Sequence, residues 1–217
     1  MDYARLFPFW AQLSLEEKDA LHRSAQTVRH KKGALMHRSA ENCKGLMAIL
    51  TGQMRTYILS DEGREVTLFR VHAGDVCVLS ASCLLDAVAF DVLIEATEDT
   101  DVLMLPSPYL SEIMENNPYV ELYLYKTAAE KFTDVVWTMQ QILFRKVDQR
   151  VAQFIWDETA RTGALALRIT HDEIARYIGS AREVVSKVLK YLAEHQAVEL
   201  RRGVIHVLDK EKLKIFL

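Results

Sequence analysis

The chain contains few of the residues that cross-link a fold, and it lacks the segments that would place it in a membrane. Its three cysteines, Cys43, Cys77 and Cys83, are an odd and scattered set that does not suit a disulfide framework. No run of about 18 apolar residues occurs, so a membrane span is not expected. Residues 1–5 also lack the cationic start of a signal peptide. We therefore expect a cytoplasmic protein with no membrane partner.

The net charge is small as well, but it is unevenly distributed. Residues 148–217 carry 12 Lys and Arg against 10 Asp and Glu, a balance of +2. The remainder, residues 1–147, carries 15 against 20, or −5, within the total of −3. The C-terminal part is therefore the more favourable partner for a polyanion.

Sequence motifs of enzymes are absent. There is no Gly-rich phosphate loop, nucleophile elbow or paired acid–base set. A cupin-like metalloenzyme would need a His-x-His pair followed by a glutamate, which is the donor set of such metal sites. The histidines of the first half are instead isolated from one another: His22, His30, His37 and His72. We expect no enzymatic activity and no metal, and keep the cupin-like enzyme as the least favoured alternative.

Glycine marks a regular rhythm in the first half of the chain. Five of the eight glycines lie in residues 33–74, and Gly52, Gly63 and Gly74 follow one another at intervals of eleven residues. Short apolar segments run between them, and later ones follow at 92–96 and 101–105, a pattern typical of an antiparallel roll. Before the roll, Ser14 followed by Glu17 forms a capping box, which predicts a helix start.

No glycine or proline occurs between Tyr119 and Thr162, which predicts helix with a long first segment. Apolar residues there recur at alternating steps of four and three, the spacing of a coiled-coil seam. We predict that this seam is a homodimer interface; the alternative is a buried helix that packs only on its own roll. The seam residues are Ala128, Phe132, Val135, Met139 and Ile142, and a second stripe of Ala129, Val136 and Leu143 widens the apolar face.

The most specific motif lies at residues 169–189. Counted from His171, a small residue (Ala175) stands fifth, a glycine (Gly179) ninth and a branched residue (Val185) fifteenth. Ala175 permits two helices to approach closely, and Gly179 can adopt the positive φ of a tight turn. The spacing predicts a helix-turn-helix. Its inner face would hold Ile174, Ile178, Val185 and Val188.

The opposite face of the second helix carries polar groups suited to DNA. An arginine can donate to both acceptors of guanine in the major groove, and a glutamate can accept from the cytosine amino group. Serine and lysine suit phosphate oxygens. After this helix, residues 198–207 form two short strands around Arg202-Gly203, which predicts a winged helix. The candidate DNA-binding residues are His171, Ser180, Arg182, Glu183, Ser186, Lys187, Lys190, Arg201 and Arg202.

This order of parts resembles the CRP/FNR family of bacterial transcription regulators, most closely at 63–75 and 169–192. The resemblance implies an α+β fold with an antiparallel β-roll like a cyclic-nucleotide-binding domain (1–118), a central dimerisation helix (119–146) and a winged helix-turn-helix (147–217). It also implies a homodimer that binds a palindromic double-stranded operator and acts with RNA polymerase. The family's Arg-Glu pair and following basic residue fall on Arg182, Glu183 and Lys187, where lysine replaces the common arginine.

The effector pocket departs from the pattern that binds cyclic nucleotides in this family. That pattern needs a Gly-Glu pair after the Gly-Asp turn and a later Arg-Ser or Arg-Thr pair. Here Gly74-Asp75 is followed by 76–80, Val-Cys-Val-Leu-Ser, and Phe90-Asp91 stands where the arginine is expected. Loss of the arginine removes the strongest phosphate contact, so cyclic AMP is not expected to bind. We predict a small apolar or aromatic effector contacted by Val78, Leu79, Phe90, Asp91, Val135, Val136 and Met139.

Other sensing chemistries of the family fit less well. Its iron–sulfur members use four cysteines, which three dispersed ones cannot supply. Its haem members place a cysteine or histidine just after the Gly-Asp turn; Cys77 and His72 are near, but Ser80 stands where the histidine is expected. We predict no cofactor. The alternative is a redox switch between Cys77 and Cys83. Against it, free cysteines usually serve as small buried hydrophobic residues, and that structural role alone would account for both.

Overall fold

The computed structural model describes residues 2–38, 44–85 and 92–217, with the backbone alone at Ser82 and Cys83. The chain forms two compact units. The first comprises Met1–Leu59 and Leu68–Val136, and the second comprises Ser60–Thr67 and Trp137–Leu217. Among the described residues, no helix is long and apolar enough to cross a membrane.

The first unit is built on two four-stranded antiparallel sheets. One sheet has the order β1-β8-β3-β6 and the other β2-β7-β4-β5. Gly52, Gly63 and Gly74 all have positive φ, which confirms the turns that their spacing predicts. At Gly52 a Cβ would lie 2.5 Å from the carbonyl oxygen of Asp99, so the turn is also too close for a side chain. The strands are β1 (Gln26–His30), β2 (Leu35–Arg38), β3 (Gly45–Thr51), β4 (Gln53–Leu59), β5 (Glu65–His72), β6 (Val76–Cys77), β7 (Leu93–Ala96) and β8 (Thr100–Pro106).

Helices precede and follow these strands along the chain. The predicted capping box is present, since the Glu17 amide donates to Ser14 Oγ over 3.2 Å and the Ser14 amide donates to Glu17 Oε2 over 2.7 Å. The long helix predicted after Tyr119 begins one residue earlier, at Pro118, because proline is well suited to a first helical position. The helices are α1 (Tyr3–Leu6), α2 (Leu15–Ser24), α3 (Ser107–Asn116) and α4 (Pro118–Phe144), with 3-10 segments at Pro8–Gln12 and Leu79–Leu84.

The core of the first unit lies between its sheets and helices. It includes Phe7 and Leu21 from the N-terminal segment, Ile49 and Leu105 from the strands, and Leu124 from α4, all fully buried. Burial of large apolar side chains is the main stabilising term for such a unit. The first half of α4 is therefore anchored to the roll.

The second unit contains a three-stranded antiparallel sheet of order β10-β11-β9. The hairpin β10–β11 turns at Arg202-Gly203, where Gly203 has φ +71°, so the predicted wing is confirmed. Strand β9, which pairs with β11, was not predicted from the sequence because it is only two residues long. The elements are α5 (Val147–Thr162), β9 (Ala166–Leu167), α6 (His171–Ile178), α7 (Arg182–Glu194), β10 (Val198–Arg201), β11 (Val204–Val207) and α8 (Lys210–Lys214).

Candidate functional site

Helices α6 and α7 form the predicted helix-turn-helix. A capping box starts α6: the Glu173 amide donates to Thr170 Oγ1 over 3.1 Å, and the Thr170 amide donates to Glu173 Oε2 over 2.9 Å. The helix ends at Gly179, whose backbone is left-handed with φ +64°. The amides of Gly179 and Ser180 both donate to the Ala175 carbonyl, closing the last turn. The glycine at the ninth position therefore has the conformation that its place in the motif requires.

The inner face of the motif is largely as predicted. Ile174, Ile178 and Val185 are buried in the core of the second unit, and Ala175 lies between the helices with 4% of its surface exposed. Val188 is only half-buried. The buried row on α7 is Val185, Leu189 and Leu192, which are four and three residues apart, so Val188 falls at its edge.

The outer face of α7 presents the predicted charges to solvent. Arg182, Glu183, Lys187 and Lys190 are all exposed. In the part of the chain that the structure describes, neither Arg182 nor Lys187 forms an ion pair with a carboxylate. These side chains are therefore available to a ligand on that face.

Two of the predicted DNA-binding residues bond to each other. Nδ1 of His171, the first residue of α6, lies 2.8 Å from Oγ of Ser186 in α7. Partial burial lowers the pKa of His171 below its ordinary value, and the positive charge of Arg182 lowers it further. Both effects favour the neutral imidazole, so the pair links the two helices without adding charge to the surface.

The tip of the wing carries Arg201 and Arg202, both exposed. Nη2 of Arg201 lies 3.0 Å from Oε2 of Glu199 on the same strand. Exposed pairs of this kind contribute little to stability, so Arg201 can exchange its partner at small cost. Ser180 lies half-buried in the turn before α7.

The turn of the motif is held by side chains that the sequence did not point to. Three carbonyl oxygens at the end of α6 accept hydrogen bonds from distant residues of the second unit. Oγ1 of Thr67 donates to Arg176 over 3.1 Å, Nη1 of Arg150 donates to Ile178 over 2.7 Å, and Nη2 of Arg64 donates to Gly179. Burial lowers the pKa of Arg150, and the nearby charge of Arg64 lowers it further.

The predicted effector residues fall into three groups. Val78 and Leu79 are buried in the core of the first unit, and Val135 packs against that core. Val136 and Met139 are exposed on α4. Phe90 and Asp91 lie outside the described residues.

The seam on α4 divides between core and solvent. Ala128 and Val135 pack against the core of the first unit, Ile142 is half-buried, and Phe132 is 59% exposed. Two of the five seam residues therefore stabilise the roll, and the prediction that the seam is a homodimer interface stays a prediction, because a single chain does not test it. An exposed apolar ridge runs instead through Phe132, Val136, Met139 and Leu143.

The roll also contains a buried ion pair that was not predicted. Arg55 on β4 lies opposite Glu95 on β7 and is only 2% exposed. Its Nε and Nη2 donate to Oε2 of Glu95 over 3.1 and 2.6 Å. The guanidinium also lies over the ring of Tyr57, 4.1 Å from the centroid.

The described cysteine and the described candidate metal ligands do not form a second functional site. Cys77 is fully buried, and burial raises the pKa of its thiol. Cys43 lies outside the described residues, and the side chain of Cys83 is likewise not described. Within the described ranges, no group of three or more His, Cys, Asp or Glu could hold a metal ion.

Comparison with known proteins decides the family. A cyclic nucleotide-binding domain model matches residues 27–117, and a Crp-like helix-turn-helix domain model matches residues 149–216. A crystal structure from Eubacterium rectale, assigned to the CRP/FNR family of regulators, is 40% identical, covers 97% of this chain and 98% of its own, and superposes with a TM-score of 0.91. The chain belongs to the CRP/FNR family.

Other CRP/FNR relatives match over most of the chain. The transcriptional activator protein Anr of Pseudomonas protegens is 27% identical over 93% of this chain and 84% of its own length. The cyclic AMP receptor protein of Thermus thermophilus is 25% identical over 95% of both chains. Membership of the CRP/FNR family makes the chain a transcription regulator with a DNA-binding helix-turn-helix and an effector-binding domain. The expectation that it is not an enzyme is confirmed, because its relatives are regulators.

Proposed function

We propose that this CRP/FNR protein binds a palindromic DNA operator as a homodimer in the bacterial cytoplasm, under the control of a small apolar or aromatic effector. The observation that carries the DNA-binding part is the outer face of α7. Arg182, Glu183, Lys187 and Lys190 are exposed there, while the opposite face of the helix is buried. A rigid helix with free donors and acceptors at its N-terminal end is what the major groove accepts.

The residues of this site have different roles in the proposal. Arg182 contacts the two acceptors of a guanine, and Glu183 accepts from a cytosine amino group. The remaining residues hold the phosphate backbone, which positions the protein without selecting a sequence. They are His171, Ser180, Ser186, Lys187, Lys190, Arg201 and Arg202.

The exposed apolar ridge on α4 supports a homodimer. Phe132, Val136, Met139 and Leu143 follow one another at steps of four, three and four, which suits a two-helix seam. A dimer places two recognition helices roughly 34 Å apart, one turn of DNA, so a palindromic site satisfies both. RNA polymerase is the further partner that a regulator of this kind would act on.

Replacing Arg182 with alanine tests the recognition helix. We expect operator affinity to fall by about 5- to 150-fold, equivalent to roughly 1–3 kcal/mol, with relaxed specificity at one base pair of each half-site. The operator is first selected from random double-stranded DNA with the parent protein, and affinities are measured by fluorescence anisotropy. Lys214→Ala is the matched control, because it removes one exposed positive charge from the same unit outside the α7 face. An Arg182→Ala protein that binds operator and random DNA as the parent does would show that α7 is not the base-contacting helix.

The effector proposal is supported by the apolar character of Val78, Leu79 and Val135 and by the absence of an arginine at 90–91. Cyclic AMP is the alternative effector to be tested, since one relative is named a cyclic AMP receptor protein. No haem or iron–sulfur cluster is part of the proposal. A redox switch through Cys77 and Cys83 takes second place, because a fully buried thiol with a raised pKa yields little reactive thiolate.

Thermal melting in the presence of ligands distinguishes these effectors. We expect an aromatic carboxylic acid to raise the melting temperature in a concentration-dependent way, with a stabilisation of about 2.7 kcal/mol at one hundred times its Kd. Cyclic AMP is titrated in parallel and is expected to have no effect. A shift with cyclic AMP alone would overturn the apolar-effector proposal. An unchanged melting temperature across a panel of aromatic acids would favour redox control. Melting curves recorded under reducing and oxidising conditions would then test that alternative.

A further inference from the structure

We propose that Ser60–Thr67, termed here the β4–β5 segment, positions the recognition helix without contacting DNA. Three of its residues, Arg64, Val66 and Thr67, contact the end of α6 and the turn between α6 and α7. The inference rests on the DNA-binding part of the proposed function and adds positioning residues to it. Its first evidence is that side chains of this segment bond to the turn of the helix-turn-helix.

The bonds satisfy backbone groups that a helix end leaves open. The last carbonyls of α6 have no partner within the helix and carry partial negative charge. Arg64 donates from its guanidinium to the Gly179 carbonyl, and Thr67 donates from its hydroxyl to the Arg176 carbonyl. A cation at a helix C-terminus is favourable, and a charged donor forms one of the stronger hydrogen bonds in proteins. The segment is therefore fastened at two points of the same helix end.

Van der Waals contact fixes the spacing at the same place. A Cβ at Gly179 would lie 3.1 Å from Cγ2 of Val66, which is tighter than nine in ten real Cβ contacts, so the Val66 side chain would have to shift by a few tenths of an ångström. The φ of +64° favours glycine at this position, and the close approach of Val66 disfavours a side chain there further. A shift of the β4–β5 segment toward the turn would meet the Gly179 backbone directly.

The turn determines where the base-contacting residues lie. Arg182 begins α7 only three residues after Gly179. Val185 and Leu189 are fully buried, so α7 moves as one body with its packing. A small change in the turn therefore displaces Arg182 and Glu183 relative to the groove. Because both remain exposed, the β4–β5 segment supports the recognition face and does not cover it.

The segment is also continuous with the roll through a single strand. Strand β5 runs from Glu65 to His72, so Val66 and Thr67 belong to the same strand as Phe69 and Val71. Phe69 and Val71 are buried in the core of the first unit. Strand β5 therefore joins the core of the roll to the contacts at Gly179 by continuous backbone.

An Arg64→Ala variant tests the proposal with two independent readouts. In the free protein, we expect faster amide hydrogen exchange at residues 176–185, because the turn loses a bond that holds it. Affinity for the selected operator should fall about tenfold, the scale of one charge-assisted hydrogen bond. The dependence of log K on log salt should keep its slope, because no phosphate contact is lost. Glu62→Ala is the control, an exposed acidic residue of the same segment.

A conservative variant separates positioning from general stability. Arg64→Lys keeps a cationic donor that can reach the Gly179 carbonyl, so it should restore part of the lost affinity and slow the exchange again. Gly179→Ala should weaken operator binding, and Val66→Ala in that background should recover part of the loss by opening the space that the new Cβ needs. The strain of the positive φ remains in both, so recovery will be incomplete.

The contrary outcomes are distinct. Unchanged exchange in Arg64→Ala would overturn the proposal whatever happens to DNA binding. A salt slope reduced by about one would overturn it too, since Arg64 would then be a phosphate contact. A parent protein that selects no DNA, combined with accelerated exchange in Arg64→Ala, would refute the proposed function while supporting the positioning contact.

Discussion

A chain carrying Met139→Lys is expected to be monomeric in solution, with a mass of 24.9 kDa and not twice that value. In the proposed dimer, Met139 lies in the middle of the exposed apolar ridge, between Val136 and Leu143. A lysine there would have to bury its ammonium in an apolar seam without a partner. The free-energy cost of burying that charge is far larger than the gain from burying one apolar side chain in the seam. Light scattering coupled to size exclusion measures the mass directly.

Operator binding should fall with the dimer. Two linked recognition helices bind with an effective concentration that a single one lacks, so the loss is expected to reach about 10²- to 10⁴-fold. Gln140→Lys is the matched control, because it introduces the same charge at the neighbouring exposed polar position of α4. A Met139→Lys protein that remains dimeric would place the interface elsewhere on the molecule.

Replacing Glu95 with alanine is expected to lower the free energy of unfolding by about 3–5 kcal/mol, the usual consequence of removing one partner from a buried ion pair. Oε2 of Glu95 accepts two hydrogen bonds from Arg55, whose side chain is almost completely buried. Without that carboxylate, the guanidinium loses an anionic acceptor while it stays charged in a medium of low polarity, because arginine does not lose its proton. Urea unfolding followed by circular dichroism gives the free energy.

Two further variants make this measurement specific. Glu98→Ala removes an exposed carboxylate just beyond β7 and should change stability by less than about 0.5 kcal/mol. The double change Arg55→Met with Glu95→Leu removes both charges and should recover most of the loss, since an apolar pair tolerates burial. A Glu95→Ala protein no less stable than the Glu98→Ala control would show that the pair has no structural role.

The parts of the fold that the sequence predicted are those set by local chemistry. The capping box at Ser14 joins residues three positions apart, and the turns at Gly52 and Gly179 depend on the φ of one residue. Such signals are complete within a short segment, so reasoning from the segment suffices. The family membership followed from the same local motifs placed in order along the chain.

The parts that were not predicted depend on contacts between distant residues. Arg55 and Glu95 face each other only because β4 and β7 pair in one register, and nothing near either residue indicates that register. Arg64 and Gly179 are separated by 115 positions. On α4 both stripes are apolar, so periodicity could not determine that Ala128 and Val135 pack against the roll. In the candidate site, the exposure of Arg182 and Lys187 matched the prediction, whereas the bond between His171 and Ser186 required the packing of two helices.

The pairing of Arg201 with Glu199 at the wing affects the salt dependence that is expected for DNA binding. Their atoms lie 3.0 Å apart, so in the proposed complex with DNA Arg201 would exchange an anion that the chain itself supplies for a phosphate. The carboxylate freed in that exchange would stay attached to the protein and attract cations from the solution. Those cations would offset part of the cation release from the DNA, and this release is what makes binding sensitive to salt. A salt titration of the proposed complex is therefore expected to report fewer basic contacts than the complex contains.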